Sequence, residues 1–302
     1  MNIRIFTLLI CAVIIIFMQN AFANGSGTTM FQILQMPTNA YDAALANTSS
    51  AGENSVITNP AIVSFLPRTV ILTHLMYIQD TSYSSLAINF PLNEISGINF
   101  SFCYFNMGDM TRTTKDSRGY RELGTFNAND KLLVLSYGTE ICDFFHTGLS
   151  LKYITQAIDD VSYSGIAVSL SGLYFVSDTI YLSLNIKDIG PQVKGYSLPS
   201  TVNLGISGEL TKTLLGIFEI DNYYNDDFME FKIAIENNFR DIVSIRVGYI
   251  VPSKQYLGTN NNFITNLTLG AGLKFKGFFV DYAWLPKEDL GSTHMFSIKV
   301  NF

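Results

Sequence analysis

The stretch Gly291–Phe302, GSTHMFSIKVNF, decides how the rest of the chain is read. Phe296, Ile298, Val300 and Phe302 stand at alternate positions, with Met295, Ser297, Lys299 and Asn301 between them. A period of two is the signature of a β-strand, whose successive side chains point to opposite faces. A strand with one oily face, one mostly polar face and an aromatic last residue is how a bacterial outer-membrane barrel closes. An edge strand of a soluble sheet has the same period, so the upstream sequence has to choose between the two.

The first residues carry one early cation, Arg4, then an apolar run from Ile5 to Met18 and a small-x-small ending at Ala21-Phe22-Ala23. These are the parts of a secretory signal, and they predict residues 1–23 as a signal peptide with the mature chain starting at Asn24. The run is shorter than the roughly 20 residues a membrane-spanning helix needs. Cys11 follows Ile10, where lipid attachment would want a small residue, so a lipoprotein is not expected. Arg4 is the one charge lost from a chain of net −6, which leaves the mature protein at −7. Nucleic acid is not an expected partner for such a chain. Cys103 and Cys142 lie in no CxxC or metal-like cluster and read as unpaired small hydrophobes, without a disulfide. Beyond the signal no apolar run approaches 18 residues, although 48% of the chain is hydrophobic and only 15% charged. Transmembrane helices are excluded on this reading, whereas a barrel is not.

Residues 24–67 differ in pattern from the rest of the mature chain and are expected to form an N-terminal arm or plug. Pro37-Thr38 marks a helix start, and the alanine-rich stretch Asn39 to Asn47 predicts a short, closely packed helix. Asn59, Pro60 and Ala61 are then expected to break any helix and to form a plug motif. Phe31, Leu34 and Phe65 are apolar residues of this arm that could line a pocket near it.

From Arg68 to Phe302 the chain is a series of fourteen alternating segments, near 68–78, 81–91, 94–107, 130–140, 144–157, 162–176, 179–189, 200–210, 213–221, 227–238, 242–251, 262–275, 277–285 and 292–302. An even number of strands, each about 9 to 11 residues or longer, is what a membrane barrel requires. The connections after even-numbered segments, PLNE, EICD, VSDT, LTKT, FRD and FKG, are all tight. Those after odd-numbered segments include Gly108 to Asn129, Gly190 to Pro199 and Pro252 to Asn261, all longer. A sandwich has no reason to sort its loops by parity, whereas a barrel with short periplasmic turns and long external loops does. The predicted fold is therefore an all-β, transmembrane antiparallel barrel of about fourteen strands with a short N-terminal helical plug.

Several stretches, taken in order, resemble the PorV/PorQ family of outer-membrane proteins, which are similar in turn to the FadL long-chain fatty-acid transporters. They are FQILQMPTNAYDAALANTSS with ITNPA, the hairpin LTHLMYIQDTSYSSLAINFPL, then GTFNANDKLLVLSYG, GLSLKYI, LSLNIKDIG and SLPSTVNLGIS, and the closing VDYAWLPKEDLGSTHMFSIKVNF. Two departures are Ile62, where a glycine commonly follows Asn-Pro-Ala, and Met295, where a basic residue often follows Thr-His. The resemblance implies a fourteen-stranded barrel with its N-terminal segment in or beneath the lumen. It also implies two different jobs. PorV-type members act with the type IX secretion machinery and bind cargo sorting domains, whereas FadL-type members pass a hydrophobic small molecule. The first is the expected function, as a non-enzymatic partner-binding component; the second is the alternative.

No GxSxG, HExxH, GxGxxG or phosphate loop is present, and no cofactor is implied. His74, His146 and His294 fall on different strands. Alternation directs Lys152, Lys187, Lys232, Glu236, Arg246, Lys274, Asp281 and Lys299 into the lumen, a mixed-sign set suited to cross-linking the interior. Arg112, Lys115, Arg118 and Arg121 form a basic cluster in the long loop Gly108 to Asn129, a candidate contact for lipopolysaccharide phosphates or a solvated run. Phe296, Ile298, Val300 and Phe302 are expected to present the C-terminal signal read by the barrel assembly machinery and to face outer-membrane lipid. Tyr196, Tyr223, Tyr224 and Tyr256 fall in or beside external loops, where a protein partner would touch.

Overall fold

Fourteen antiparallel strands follow one another around a closed ring in the computed structural model, each paired with its sequence neighbours, and β14 pairs with β1. The structure describes residues 29–49, 55–79, 81–116, 119–226, 228–251, 263–287 and 291–302. The predicted signal peptide, Arg118 and Tyr256 lie outside them. The strands are β1 (Thr69–Met76), β2 (Ser82–Pro91), β3 (Ser96–Asp116), β4 (Gly119–Cys142), β5 (Phe145–Ile158), β6 (Val161–Ser177) and β7 (Ile180–Ile189). They continue as β8 (Thr201–Glu209), β9 (Leu214–Tyr223), β10 (Phe228–Phe239), β11 (Val243–Val251), β12 (Leu267–Phe275), β13 (Phe278–Pro286) and β14 (Ser292–Asn301).

The alternation turns the usual order of a soluble protein inside out. Leu133, Leu135, Leu149, Leu151, Ile233, Ile235, Phe296 and Ile298 are exposed on the outer wall. Ser136, Ser150, Asn185, Asn203, Glu236 and Lys299 are buried inside. Water outside would penalise that arrangement, whereas hydrocarbon outside rewards it. A closed ring also leaves no unpaired strand edge facing lipid. Among the described residues no helix is long and apolar enough to cross a membrane; the strands do the crossing.

One expected loop is not a loop. Residues 108–129 continue the ladder of β3 and β4, which run to 21 and 24 residues and are separated by residues 117–118 alone. The segment lacks a clean apolar face, so its period is hidden. Its threonines still favour extended backbone, and cross-strand pairing of Thr111 with Thr125 and Thr114 with Arg121 satisfies the main chain. Register shifts between Asn106 and Asp109 and between Arg112 and Thr113 mark where the hairpin bends, and Gly108 supplies a φ of 72° there. Strands this long exceed what a bilayer needs, so the β3–β4 hairpin stands above the barrel on the end opposite the tight turns. Cys142, expected in a turn, ends β4.

The arm lies within the ring. At the end of the barrel opposite the tight turns, Met30 N–H donates to Ser197 O at 2.9 Å. Helix α1 (Ala40–Ala44) follows, capped by Asn39, whose side chain accepts the Asp42 N–H. It packs on β12–β14, where Ala40 N–H donates to Ser297 Oγ at 2.7 Å and Ala46 N–H to Thr268 Oγ1 at 3.1 Å. Contrary to the expected helix break, Asn59-Pro60-Ala61 starts a 3₁₀ turn, Pro60–Ser64. Pro60 sits at its first position, where the missing N–H is no loss, and Asn59 Oδ1 caps Ala61 N–H at 3.2 Å. This turn lies against the tight-turn ends of β3–β5. A Cβ on Gly148 would stand 2.2 Å from the Pro60 carbonyl carbon, so only a glycine lets the two backbones meet. Ile62 is fully buried in the same contact.

Candidate functional site

The lumen is divided by chemistry into two sectors. From β7 to β13 its inner face is charged. Arg246 on β11 donates to Glu236 on β10 at 2.5 Å and to Asp281 on β13 at 2.6 Å, with Tyr41 of α1 stacked 4.2 Å from its guanidinium. Lys232 on β10 pairs with Asp221 on β9 at 2.5 Å and also donates to Asn47 O in the arm. Lys152 on β5 reaches across to Asp188 at 2.6 Å. These ions are all nearly inaccessible, so each pair has to offset its own desolvation through close geometry.

Of the lumen residues expected from alternation, Lys152, Lys232, Glu236, Arg246, Asp281 and Lys299 are buried inside, and Lys187 is half-buried. Lys274 is exposed at the tight-turn mouth, where it and Lys299 flank the Phe279 ring at 5.5 and 4.9 Å. Three partners escaped the sequence reading. Glu219 and Asp221 follow the period of two and could have been found by it. Asp188 could not, because parity puts it outside and only its left-handed φ of 61° turns it in.

A cavity of about 280 Å³ lies between Tyr41 and the tight-turn ends of β9–β14, with Tyr181, Arg246, Lys274, Asp281 and Lys299 in its wall. Above it, α1 holds a buried carboxylate. Asp42 accepts the Ser55 hydroxyl and the Asn39 amide, each at 2.7 Å, and burial pushes its pKa up to about 7.

The second sector carries an apolar row, with Thr73, Ser85, Ser101, Asp130 and Lys152 at neighbouring inward positions on the same strands. Reading across the ladder, Ala283, Met295, Leu75 and Tyr83 are directly paired in turn on β13, β14, β1 and β2, and so are Cys103, Leu132 and Ile154 on β3, β4 and β5. All seven are buried. Phe31 fills the space in front of Gly165 on β6, where a Cβ would meet its ring at 2.8 Å. Met30, Leu34, Met36, Tyr77, Phe105 and Tyr163 border this core in partly buried positions. Phe31 and Leu34 therefore share an apolar site. Phe65, expected with them, lies at the other end, edge-on to His146 and Phe175.

His146 Nδ1 stands 2.8 Å from Ser64 Oγ, but that hydroxyl donates to Ala61 O at 2.7 Å, so the imidazole is its donor. This polarity ties the 3₁₀ turn to the wall and does not activate the serine. His74 and His294 bond instead to Ser84 and Tyr282.

The basic cluster is dispersed along the hairpin. Arg112 is engaged by Asp159 of the β5–β6 turn and lies 5.8 Å from the Phe126 ring centre, whereas Lys115 and Arg121 are exposed. Phe296, Ile298 and Phe302 are exposed on the outer wall and Val300 is half-exposed. Tyr196 and Tyr224 are exposed, and Tyr223 is stacked on Phe228 and donates to Glu230.

By sequence, no family model and no curated relative matches the chain. By structure, the barrel is similar to the toluene transporter TodX of Pseudomonas putida. That TM-score is 0.65 at 11% identity, over 93% of this chain and 98% of TodX. The toluene transporter TbuX of Ralstonia pickettii gives 0.62 at 11% identity, over 87% and 98%. A FadL homologue of Pseudomonas aeruginosa gives 0.56 at 10% identity, over 88% and 98%. At these identities the likeness is one of fold.

Proposed function

We propose that the protein is a FadL-like outer-membrane channel for a hydrophobic small molecule. The observation that carries this reading is the apolar sector of the inner wall, from Met295 and Leu75 round to Ile154. A pore for water-soluble solutes gains nothing from burying Leu, Ile, Met and Tyr in its lumen, whereas a site for an apolar ligand is built from such residues around a few polar groups. Phe31, Ile33 and Leu34 of the arm occupy this sector, and an entering ligand would replace their contacts. The partly buried methionines, Met30 and Met36, supply adaptable apolar surface beside it. The fold likeness to toluene transporters is in keeping with the reading.

The test is binding of radiolabelled toluene and palmitate to the purified full-length barrel, compared with Ile154→Asp. The variant places a carboxylate in the middle of the apolar sector and is expected to lower affinity by at least about tenfold, the cost of burying an unpaired charge. Absence of binding of either ligand to the wild type would remove the reading.

The type IX secretion reading is the second. Its support is the exposure of Tyr196 and Tyr224 at the loop end, where a cargo sorting domain would contact the barrel. Co-purification of such a domain in stoichiometric amount would favour it. Under either reading, the outward face of Phe296, Ile298, Val300 and Phe302 is assigned to lipid contact and to recognition by the barrel assembly machinery.

A further inference from the structure

On the inner face of β7, Asn185 lies directly opposite Ser171 on β6 and Asn203 on β8, and Ser183 is the next inward residue toward the tight-turn end. All four are buried, both asparagines completely. The orientation of each amide follows from its neighbours. Asn203 gives its NH₂ to Asp221, which can only accept, so its Oδ1 faces the other way. Ser49 of the arm donates its N–H and O–H to Glu219 at 2.9 and 3.2 Å. Its oxygen is then left to accept from Asn185 Nδ2 at 3.1 Å, which again turns Oδ1 away.

Among the described residues neither amide oxygen meets a donor, and the hydroxyls of Ser171, Ser183 and Thr48 have no partner. These are five of the eight buried side-chain polar atoms without a partner among the described residues. Directly opposite residues in an antiparallel pair have Cβ atoms about 5 Å apart, so the four wall oxygens belong to one patch. Gly205, opposite Ser183 on one side and Glu219 on the other, leaves the middle of the patch without a side chain.

A buried polar oxygen without a partner is costly, so four on one patch of wall, with Thr48 beside Ser49 of the arm, point to a shared electropositive guest. Neutral carbonyl and hydroxyl oxygens are the donor set of a hard cation. Glu219 and Asp221 adjoin them and balance the charges of Lys232, committed to Asp221, and Lys187, so the oxygens face no net positive field. Lys187, the next inward residue on β7, has no carboxylate within ion-pair distance among the described residues, and its charge disfavours a divalent ion beside it. We propose that this niche binds an alkali cation, sodium or potassium, which ties the arm at Thr48-Ser49 to the wall at β6–β8. The proposal is independent of what the barrel conducts.

The experiment is thermal unfolding of the full chain in detergent, in sodium, potassium or N-methyl-D-glucamine chloride at equal ionic strength. The midpoint is expected to rise by a few degrees and to saturate with sodium or potassium but not with the organic cation. Ser183→Ala removes one oxygen with little change of shape and is expected to weaken the apparent cation affinity about tenfold. If that variant does not fold, sodium-23 NMR line broadening on the wild type, reversed by potassium but not by N-methyl-D-glucamine, reads binding directly. Identical midpoints in the three salts would mean that water alone satisfies the oxygens and would overturn the proposal. An unchanged affinity in Ser183→Ala would overturn it too.

Discussion

Asp42 shows what a single side chain contributes to holding the arm. Its carboxyl is completely enclosed by the arm and wall, and burial raises its pKa to about 7 in spite of two hydrogen bonds to the charged form. A carboxyl whose folded value lies above its unfolded one stabilises the fold while protonated. That contribution is fully present below the unfolded value and is lost as the pH rises through about 7. The unfolding midpoint of the detergent-solubilised protein is therefore expected to fall between about pH 4 and about pH 7 and to level off above that. Asp42→Asn keeps the shape, cannot ionise, and should flatten that slope. An equally steep slope in the variant would assign the pH dependence to other groups. Nothing in the period of the sequence marked this residue, since its role depends on Ser55, thirteen positions on, being folded back over it.

At the scale of elements, the contact that closes the tight-turn end joins the 3₁₀ turn Pro60–Ser64 to β3–β5. It is made by main chain against main chain, with Gly148 as the narrowest point. Gly148→Val should push the turn away from the wall without touching the ladder, because β5 gains a β-branched residue that suits a strand. The expected outcome is a barrel that still resists heat and detergent but whose arm is cleaved by added protease, at a cost to arm docking of about 3 kcal/mol or more. An arm as protected as in the wild type would show that the turn can shift to make room. The same scale holds the main surprise of the fold, the β3–β4 hairpin. Its residues read as a polar loop because no apolar face declares their period, yet backbone pairing carries the strands on beyond the bilayer.

For the molecule as a whole, the outer wall answers to lipid and the inner wall answers to the arm. Around the ring the arm accepts hydrogen bonds from Ser85, Asn89, Asn185 and Lys232, donates them to Glu219, Thr268 and Ser297, and packs Phe31 and Ile33 on apolar wall residues. It thereby fills the space through which ions would pass. Deleting residues 29–66 is expected to turn a poorly conducting barrel into a steadily open pore in planar bilayers. Its lining of Ser, Asn and paired ions would be wet once uncovered. A deletion variant that inserts but conducts no better than the wild type would mean that the lumen closes without the arm.

Much of this architecture was legible along the chain, because a strand's period of two is a local property. Phe296, Ile298 and Val300 against Ser297 and Lys299 reported two faces without any knowledge of partners, and tight turns after every second strand reported closure into a barrel. The lumen charges Lys152, Lys232, Glu236, Arg246 and Asp281 followed from the same parity. Local pattern could not say which of those charges would meet. It could not turn Asp188 inward through a left-handed residue, bring Tyr41 onto Arg246, or line up Met295, Leu75 and Tyr83 in one apolar row of the lumen. These depend on distances between residues far apart in the chain, and only closure of the ring around the arm sets those distances.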